Sequence, residues 1–251
     1  MCLTDVAALS LDLDDTLWAF SPAVRRAEEV LYQWLLKHAP ATADILIGPE
    51  TLRKYRHGTT IARPDLSHDL ALQRHESIRE VLRAAGEDPN LSDEAYDIFY
   101  SARQRVELFK DVLPALERLS SHYPIAAITN GNSNLKAIGI EHYFSVTFTA
   151  ADFGVAKPDP RIFHAAASAL GVSPNQMLHV GDDLQLDVRG AQSAGLQAAW
   201  LVRCEHLPLP SSSVLNPGSA FVVSDLNELC NVLSLDLQPK PICAGDVLDA
   251  V

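Results

Sequence analysis

Cysteine is scarce in this 251-residue chain: there are four, Cys2, Cys204, Cys230 and Cys243, widely spaced and with no CxxC pair. That spacing indicates neither a zinc module nor a disulfide framework, and a reducing cytoplasm fits it best. Long apolar runs are also missing. No stretch approaches the roughly 18 uninterrupted apolar residues of a membrane span, and no basic flank precedes an apolar stretch at the N-terminus. Neither a signal peptide nor a membrane helix is expected. Positive charge is in deficit, with 20 Lys and Arg against 32 Asp and Glu, a net charge of -12 and a pI near 5.1. Such a chain is a poor non-specific partner for nucleic acid or an anionic membrane, so any phosphate it handles must be met locally. Internal repeats, heptads and low-complexity tracts are absent too.

Hydrophobic residues make up 47% and charged residues 21%, ordinary values for a folded globular protein. The organisation lies in where the polar residues interrupt the apolar ones. Val6, Ala7, Ala8, Leu9, Leu11 and Leu13 read as a strand covered on both faces, as in a parallel sheet. LSLDLDDTLW (Leu9 to Trp18) then sets Asp12, Asp14 and Asp15 at its end. Three carboxylates there repel one another and lose hydration unless the strand end is open or a cation is held. From Ser21 to about Arg105 the periodicity becomes helical. Ser21-Pro22 reads as an N-cap and first-turn pair, followed by amphipathic segments through Leu70 to Leu82, ending at Gly86, and around Ala95 to Val106.

Strands and helices alternate again from Val112. PIAAITNGN, SVTFTA, QMLHVGDD and LQAAWLV read as short buried strands. Helices open at Asp159-Pro160, run near Asp187 to Ala194, and follow Ser224 as an N-cap. Alternation of this kind predicts an α/β fold, a Rossmann-like parallel sheet with helices on both faces. The expected core is discontinuous, residues 1–19 and 108–235, with helices inserted over 20–107 and a tail over 236–251.

Four polar clusters fall at ends of predicted strands: Asp12, Asp14 and Thr16; Thr129, Asn130 and Gly131; Lys157; and Asp182 with Asp187. Singly, each has a bland reading as a turn or an exposed charge. In an open α/β sheet, ligands bind beyond the carboxyl ends of the strands, where these clusters would converge. Their chemistry is complementary. Asp12 is placed to attack phosphorus, and Asp14, on the same side of an extended strand, to protonate the leaving oxygen and then activate water. Asp182, with Asp187 as helper, would hold a hard cation such as Mg²⁺. Lys157, Thr129 and Asn130 would meet the phosphoryl oxygens, and Thr16 would orient the loop. His179, inside a predicted strand, reads as a satisfied core histidine rather than a ligand.

DLDDTL, TNG, KPDPRIF and HVGDDLQLDVRGAQSAG, in this order, resemble the four motifs of the haloacid dehalogenase superfamily. The resemblance implies an Asp12 nucleophile, an Asp14 acid/base, and Mg²⁺ on Asp12, the Asp14 backbone carbonyl and Asp182. It also implies that the helical insertion is a cap that opens and closes over the site. Dehalogenases of that superfamily lack an aspartate two residues past the nucleophile, so Asp14 favours phosphate esters. TNGN, GDDLQLDVRGA and the segment SHDLALQRHESIREVL are similar to the bacterial flavin mononucleotide (FMN) phosphatases. That branch is also linked to dephosphorylating 5-amino-6-(5-phospho-D-ribitylamino)uracil. The expected partner is thus a small-molecule phosphate monoester, with no nucleic acid or membrane, on a monomer or homodimer. Trp18, His68 and Arg74 are candidate substrate contacts. Alternatives are a broad-specificity sugar-phosphate, nucleotide or phosphoglycolate phosphatase, a phosphomutase, a phospho-aspartate switch, and a binding protein on a dead hydrolase scaffold. In a receiver-type switch the acidic pair precedes Thr and Lys, whereas here Asp182 comes last.

Overall fold

A computed structural model describes residues 5–52, 55, 56, 58, 61, 69–203 and 218–235. Six strands form one sheet: β1 (Ala8–Leu11), β2 (Ile125–Thr129), β3 (Val146–Thr149), β4 (Met177–Gly181), β5 (Gln197–Leu201) and β6 (Phe221–Val223). Their order is β3-β2-β1-β4-β5-β6, and every pairing is parallel. β1, β2 and β4 are buried along their whole length, which explains why they read as continuous apolar runs. The chain builds outward from β1 in one direction through β2 and β3, then in the other through β4, β5 and β6. β1 therefore sits at the point where strand order reverses, and the crevice at its carboxyl end is where a ligand binds in such sheets.

Among the described residues the longer helices are α1 (Phe20–His38), α2 (Pro40–Leu46), α3 (Leu70–Ala84), α4 (Leu91–Arg103), α5 (Val112–His122), α6 (Pro160–Ala169) and α7 (Leu226–Val232). Leu9, Leu11 and Leu116 belong to a core on one face of the sheet together with Leu226 and Leu229. Ile128, Ile162, Phe163 and Val188 build the core of the other face. Each fully buried Leu or Phe contributes about 1.5–3 kcal/mol relative to exposure. Ala27, Leu31, Leu35, Ile78, Val81 and Phe99 belong to a separate apolar cluster.

Two expected caps are displaced. α1 begins at Phe20, not after Ser21: Asp15 adopts a left-handed backbone (φ 59) and its carboxylate accepts the Phe20 N–H at 2.9 Å, which satisfies a first-turn donor from outside the helix. α7 is capped by Asp225, whose side chain accepts from Glu228 N at 2.7 Å, rather than by Ser224. The helix read from Asp187 to Ala194 begins as a wide π-type turn, Leu184–Arg189, anchored by Asp183 accepting from Gln185 N and Leu186 N. π-type turns recur at functional sites, and this one carries Asp187. No described helix is long and apolar enough to cross a membrane. The expected tail, residues 236–251, lies outside the described residues.

Candidate active site

Asp12 follows β1, Thr129 ends β2, and Asp182 follows β4, so three neighbouring strands deliver their polar ends to one place. Lys157 reaches the same place from the loop before α6. Its Nζ lies 2.5 Å from Asp12 Oδ1 and 2.6 Å from Asp187 Oδ1, and all three residues are buried. Carboxylate oxygens of Asp12, Asp182 and Asp187 lie within 4.8 Å of one another. The Thr16 hydroxyl donates to Asp182 Oδ1 at 3.0 Å and faces Asp12 Oδ2 at 3.4 Å, tying the loop after β1 to that after β4.

Asp187 has its oxygens committed. Oδ1 accepts from Lys157 and is 3.1 Å from His179 Nε2, while Oδ2 accepts from Asp183 N at 3.0 Å. Ser10 Oγ lies 2.8 Å from His179 Nδ1, so this buried imidazole is partnered on both sides. The satisfied core histidine read from the sequence matches that arrangement, and it braces Asp187 in addition. Burial holds the imidazole below its usual pKa, against the pull of Asp187, and so favours its neutral form. Gly181 makes this approach possible, because a Cβ there would lie 2.3 Å from Asp187 Cγ. Gly181→Ala is expected to destabilise the fold by about 1–3 kcal/mol, as overpacking does, lowering Tm by several degrees. An unchanged melt would show that Asp187 is not pressed against the strand.

Charge is out of balance. Three carboxylates face one ammonium, so burial pushes Asp12 well above the ordinary carboxylate pKa, opposed by Lys157 and reinforced by Asp187 and Asp182. Burial, with Asp187 adding, pushes Asp182 up to about 7. Lys157 is held protonated by its two carboxylates despite burial, and Asp187, bound to Lys157 and His179, is held well below the ordinary range. A cluster of hard oxygens with surplus negative charge fits a divalent, oxygen-seeking cation. Asp12 and Asp182 would hold it, with Asp187 behind them.

Other expected residues are placed differently. Asn130 does not turn its amide to a phosphate: Nδ2 donates to Lys157 O at 2.9 Å and Oδ1 accepts from Lys157 N at 2.7 Å, so it positions the lysine. Thr129 Oγ1 accepts from Gly131 N at 2.9 Å, which leaves its O–H as a donor. Trp18 presents no aromatic wall, because it is fully buried and its Nε1 donates to Asp14 Oδ1 at 2.8 Å. It also bridges Asp14 and Leu108, joining the two crossings between sheet and helical segment. Arg74 is buried inside the helical segment, 3.3 Å from Glu28 and over the Phe99 ring at 4.2 Å, and so does not face the crevice. His68 lies outside the described residues.

Sequence reasoning missed the residues of the helical segment that do meet the sheet. Arg103, the last residue of α4, pairs with Asp14. Asn132 Nδ2 lies 3.3 Å from the Tyr96 hydroxyl. Between α4 and the loop after β2 is a cavity of about 490 Å³, lined by Tyr96, Asp97, Tyr100, Gly131, Asn132 and Ser133 among others, in the range of small-molecule sites. Aromatic residues four apart on one helix were a signal for such a wall; nothing local marked Arg103.

The chain belongs to the haloacid dehalogenase-like hydrolase family, which it matches over residues 6–195. It is 33% identical over 200 residues to 5-amino-6-(5-phospho-D-ribitylamino)uracil phosphatase YigB of Escherichia coli (strain K12), covering 78% of this chain and 83% of the relative. It is 36% identical over 136 residues to phosphoserine phosphatase of Thermus thermophilus, covering 52% of this chain and 55% of that one. The crystal structure of a 2-haloacid dehalogenase from Pseudomonas syringae pv. Tomato DC3000 superposes with a TM-score of 0.81 at 31% identity, over 91% of this chain and 98% of that chain.

Proposed function

We propose that this hydrolase is a phosphatase that cleaves a small phosphate monoester through an aspartyl-phosphate on Asp12, and that its substrate is FMN or 5-amino-6-(5-phospho-D-ribitylamino)uracil. The observation that carries the mechanism is Asp12 itself, a carboxylate at the end of the central strand held by Lys157 at 2.5 Å and set among further acids. The nearby Asp14 separates this reading from dehalogenation, since a halide leaves without needing a proton.

In the first displacement an Asp12 oxygen bonds to phosphorus as the ester P–O bond breaks, and Asp14 gives its proton to the departing alkoxide oxygen. In the second, Asp14 takes a proton from water, whose oxygen attacks phosphorus and frees the Asp12 carboxylate and inorganic phosphate. Lys157 and the Thr129 hydroxyl meet the phosphoryl oxygens, and Asn130 fixes the Lys157 backbone. Mg²⁺ held by Asp12, Asp182 and the Asp14 backbone carbonyl would screen the repulsion between an anionic nucleophile and an anionic phosphate. Residues 20–107 act as a cap, closing the cavity beside Tyr96, Tyr100 and Asn132 over the leaving group. The substrate assignment is supported by the E. coli relative, while the T. thermophilus relative, named for phosphoserine, supports phosphoryl chemistry with a different leaving group. A cytoplasmic location fits the scarcity of cysteine.

The test is inorganic phosphate release from a panel of FMN, the ribitylamino-uracil phosphate, sugar phosphates, nucleotides, phosphoserine and phosphoglycolate, with Mg²⁺ or with EDTA. A preference for the first two of at least about tenfold in kcat/KM is expected, corresponding to about 1.4 kcal/mol of transition-state discrimination, with loss of turnover in EDTA. Uniform low activity would overturn the flavin-pathway substrate, and equal rates in EDTA would overturn the metal.

A further inference from the structure

Arg103 is 2% exposed, and its surroundings are unlike those of Arg74, the other buried arginine among the described residues, and of the partly buried Arg203. Arg74 is spent on Glu28 and the Phe99 ring within the helical segment. Arg203 forks onto both oxygens of Asp111 and also donates to Thr16 O. Arg103 instead crosses from the end of α4 to the site. Its Nη2 donates to Asp14 Oδ1 and, at 3.3 Å, to Ser133 Oγ, while its Nη1 is buried with no hydrogen-bond partner among the described residues. A buried guanidinium nitrogen left so is uncommon and calls for a reason.

We propose that Arg103 is a positioning residue for Asp14, through which the helical segment sets the proton-transferring carboxyl in its working orientation. The proposal rests on the acid role given to Asp14 above. Two donors converge on the same oxygen: Arg103 Nη2 and Trp18 Nε1 both bind Asp14 Oδ1. Oδ2 is left toward the loop after β2, where a Cβ on Gly131 would lie 2.7 Å from it. The carboxyl is thus held with one oxygen occupied and the other presented beside Gly131, at the wall of the cavity that would take the leaving group. A residue held within a fraction of an ångström of its productive geometry loses much of its effect when its support is removed. Among the described residues only α4 supplies this guanidinium, so displacement of α4 from the sheet would release Asp14.

The test is leaving-group dependence, read as kcat/KM, which reports the displacement at Asp12. Arg103→Met is expected to lower kcat/KM for an alkyl phosphate, whose oxygen must be protonated as it leaves, by about 10²-fold, the lower range of general-acid contributions. For 2,4-dinitrophenyl phosphate, which departs without a proton, the loss should stay below about threefold on the same reasoning. Trp18→Phe removes the second donor to Oδ1 and should show the same selectivity, and Arg103→Lys should recover part of the alkyl rate. Equal losses for both esters, or no loss for either, would overturn the proposal. Asp14→Asn measured in the same series separates the two claims. If it too lacks leaving-group dependence, the acid role of Asp14 falls; if it shows the dependence and Arg103→Met and Trp18→Phe do not, the positioning role alone falls.

Discussion

Asp12→Asn is expected to lower phosphate release by on the order of 10⁴-fold or more, the scale on which removal of a covalent nucleophile acts, while leaving the fold intact. The amide keeps the size of the carboxyl, and its oxygen can still accept from Lys157 Nζ, which lies 2.5 Å from the carboxylate. What it lacks is the charge that bonds to phosphorus. Burial with two further carboxylates pushes Asp12 well above its ordinary pKa, so the fold hosts that charge at a cost and the neutral amide relieves it. In EDTA the variant should therefore melt no lower than the wild type. Acid quenching during turnover, followed by mass spectrometry, should find phosphate on the Asp12 peptide of the wild type alone. Turnover in the variant at about a tenth of the normal rate, far above what loss of a covalent nucleophile leaves, would sink the covalent mechanism.

Lys157→Met carries the second large effect, on both activity and stability. Its ammonium is bound to Asp12 and Asp187 together, and deleting one partner of a buried pair costs about 3–5 kcal/mol. At about 2–4 °C per kcal/mol for a chain of this size, Tm should fall by on the order of 10 °C. The pH dependence has a definite sign. Asp187 is held well below its unfolded value by Lys157 and His179, so it contributes stability present above an ordinary carboxylate pKa of about 4 and lost as pH falls further. Without Lys157 that contribution shrinks, and Asp12 and Asp187 repel unless they take up protons. The deficit of the variant should be greatest near neutral pH and narrow toward about pH 4. A deficit independent of pH would mean that the methionine disturbs packing rather than charge. Phosphate release should fall with stability corrected for, because no other described residue brings an ammonium to Asp12.

Much of this was legible in the sequence because the signals were local. Apolar runs that stop at Asp12, Thr129 and Asp182 announced three strand ends, and a parallel sheet brings such ends to one edge. The helical stretch after Trp18 was equally plain from its periodicity. The caps at Ser21 and Ser224 were misplaced because Asp15, six residues before the first, and Asp225, one after the second, offered competing carboxylates that local preference does not rank. The cap contacts failed for a longer-range reason. Arg74 carries a charge on a helix in either reading, and only the approach of Glu28 from α1 decides that it is buried in a pair.

By itself the sequence determined the α/β alternation, the order of the four polar clusters and the carboxylate proposed as nucleophile, since each follows from residue type, spacing and strand context. Tertiary structure alone decided which side chains those groups touch. It made Asn130 a brace for Lys157, turned Trp18 inward onto Asp14, and brought Arg103 from the end of α4 to the same carboxyl. Hydrogen bonds between residues far apart in the chain depend on how whole elements pack, and packing leaves no mark at the position of a single buried polar residue.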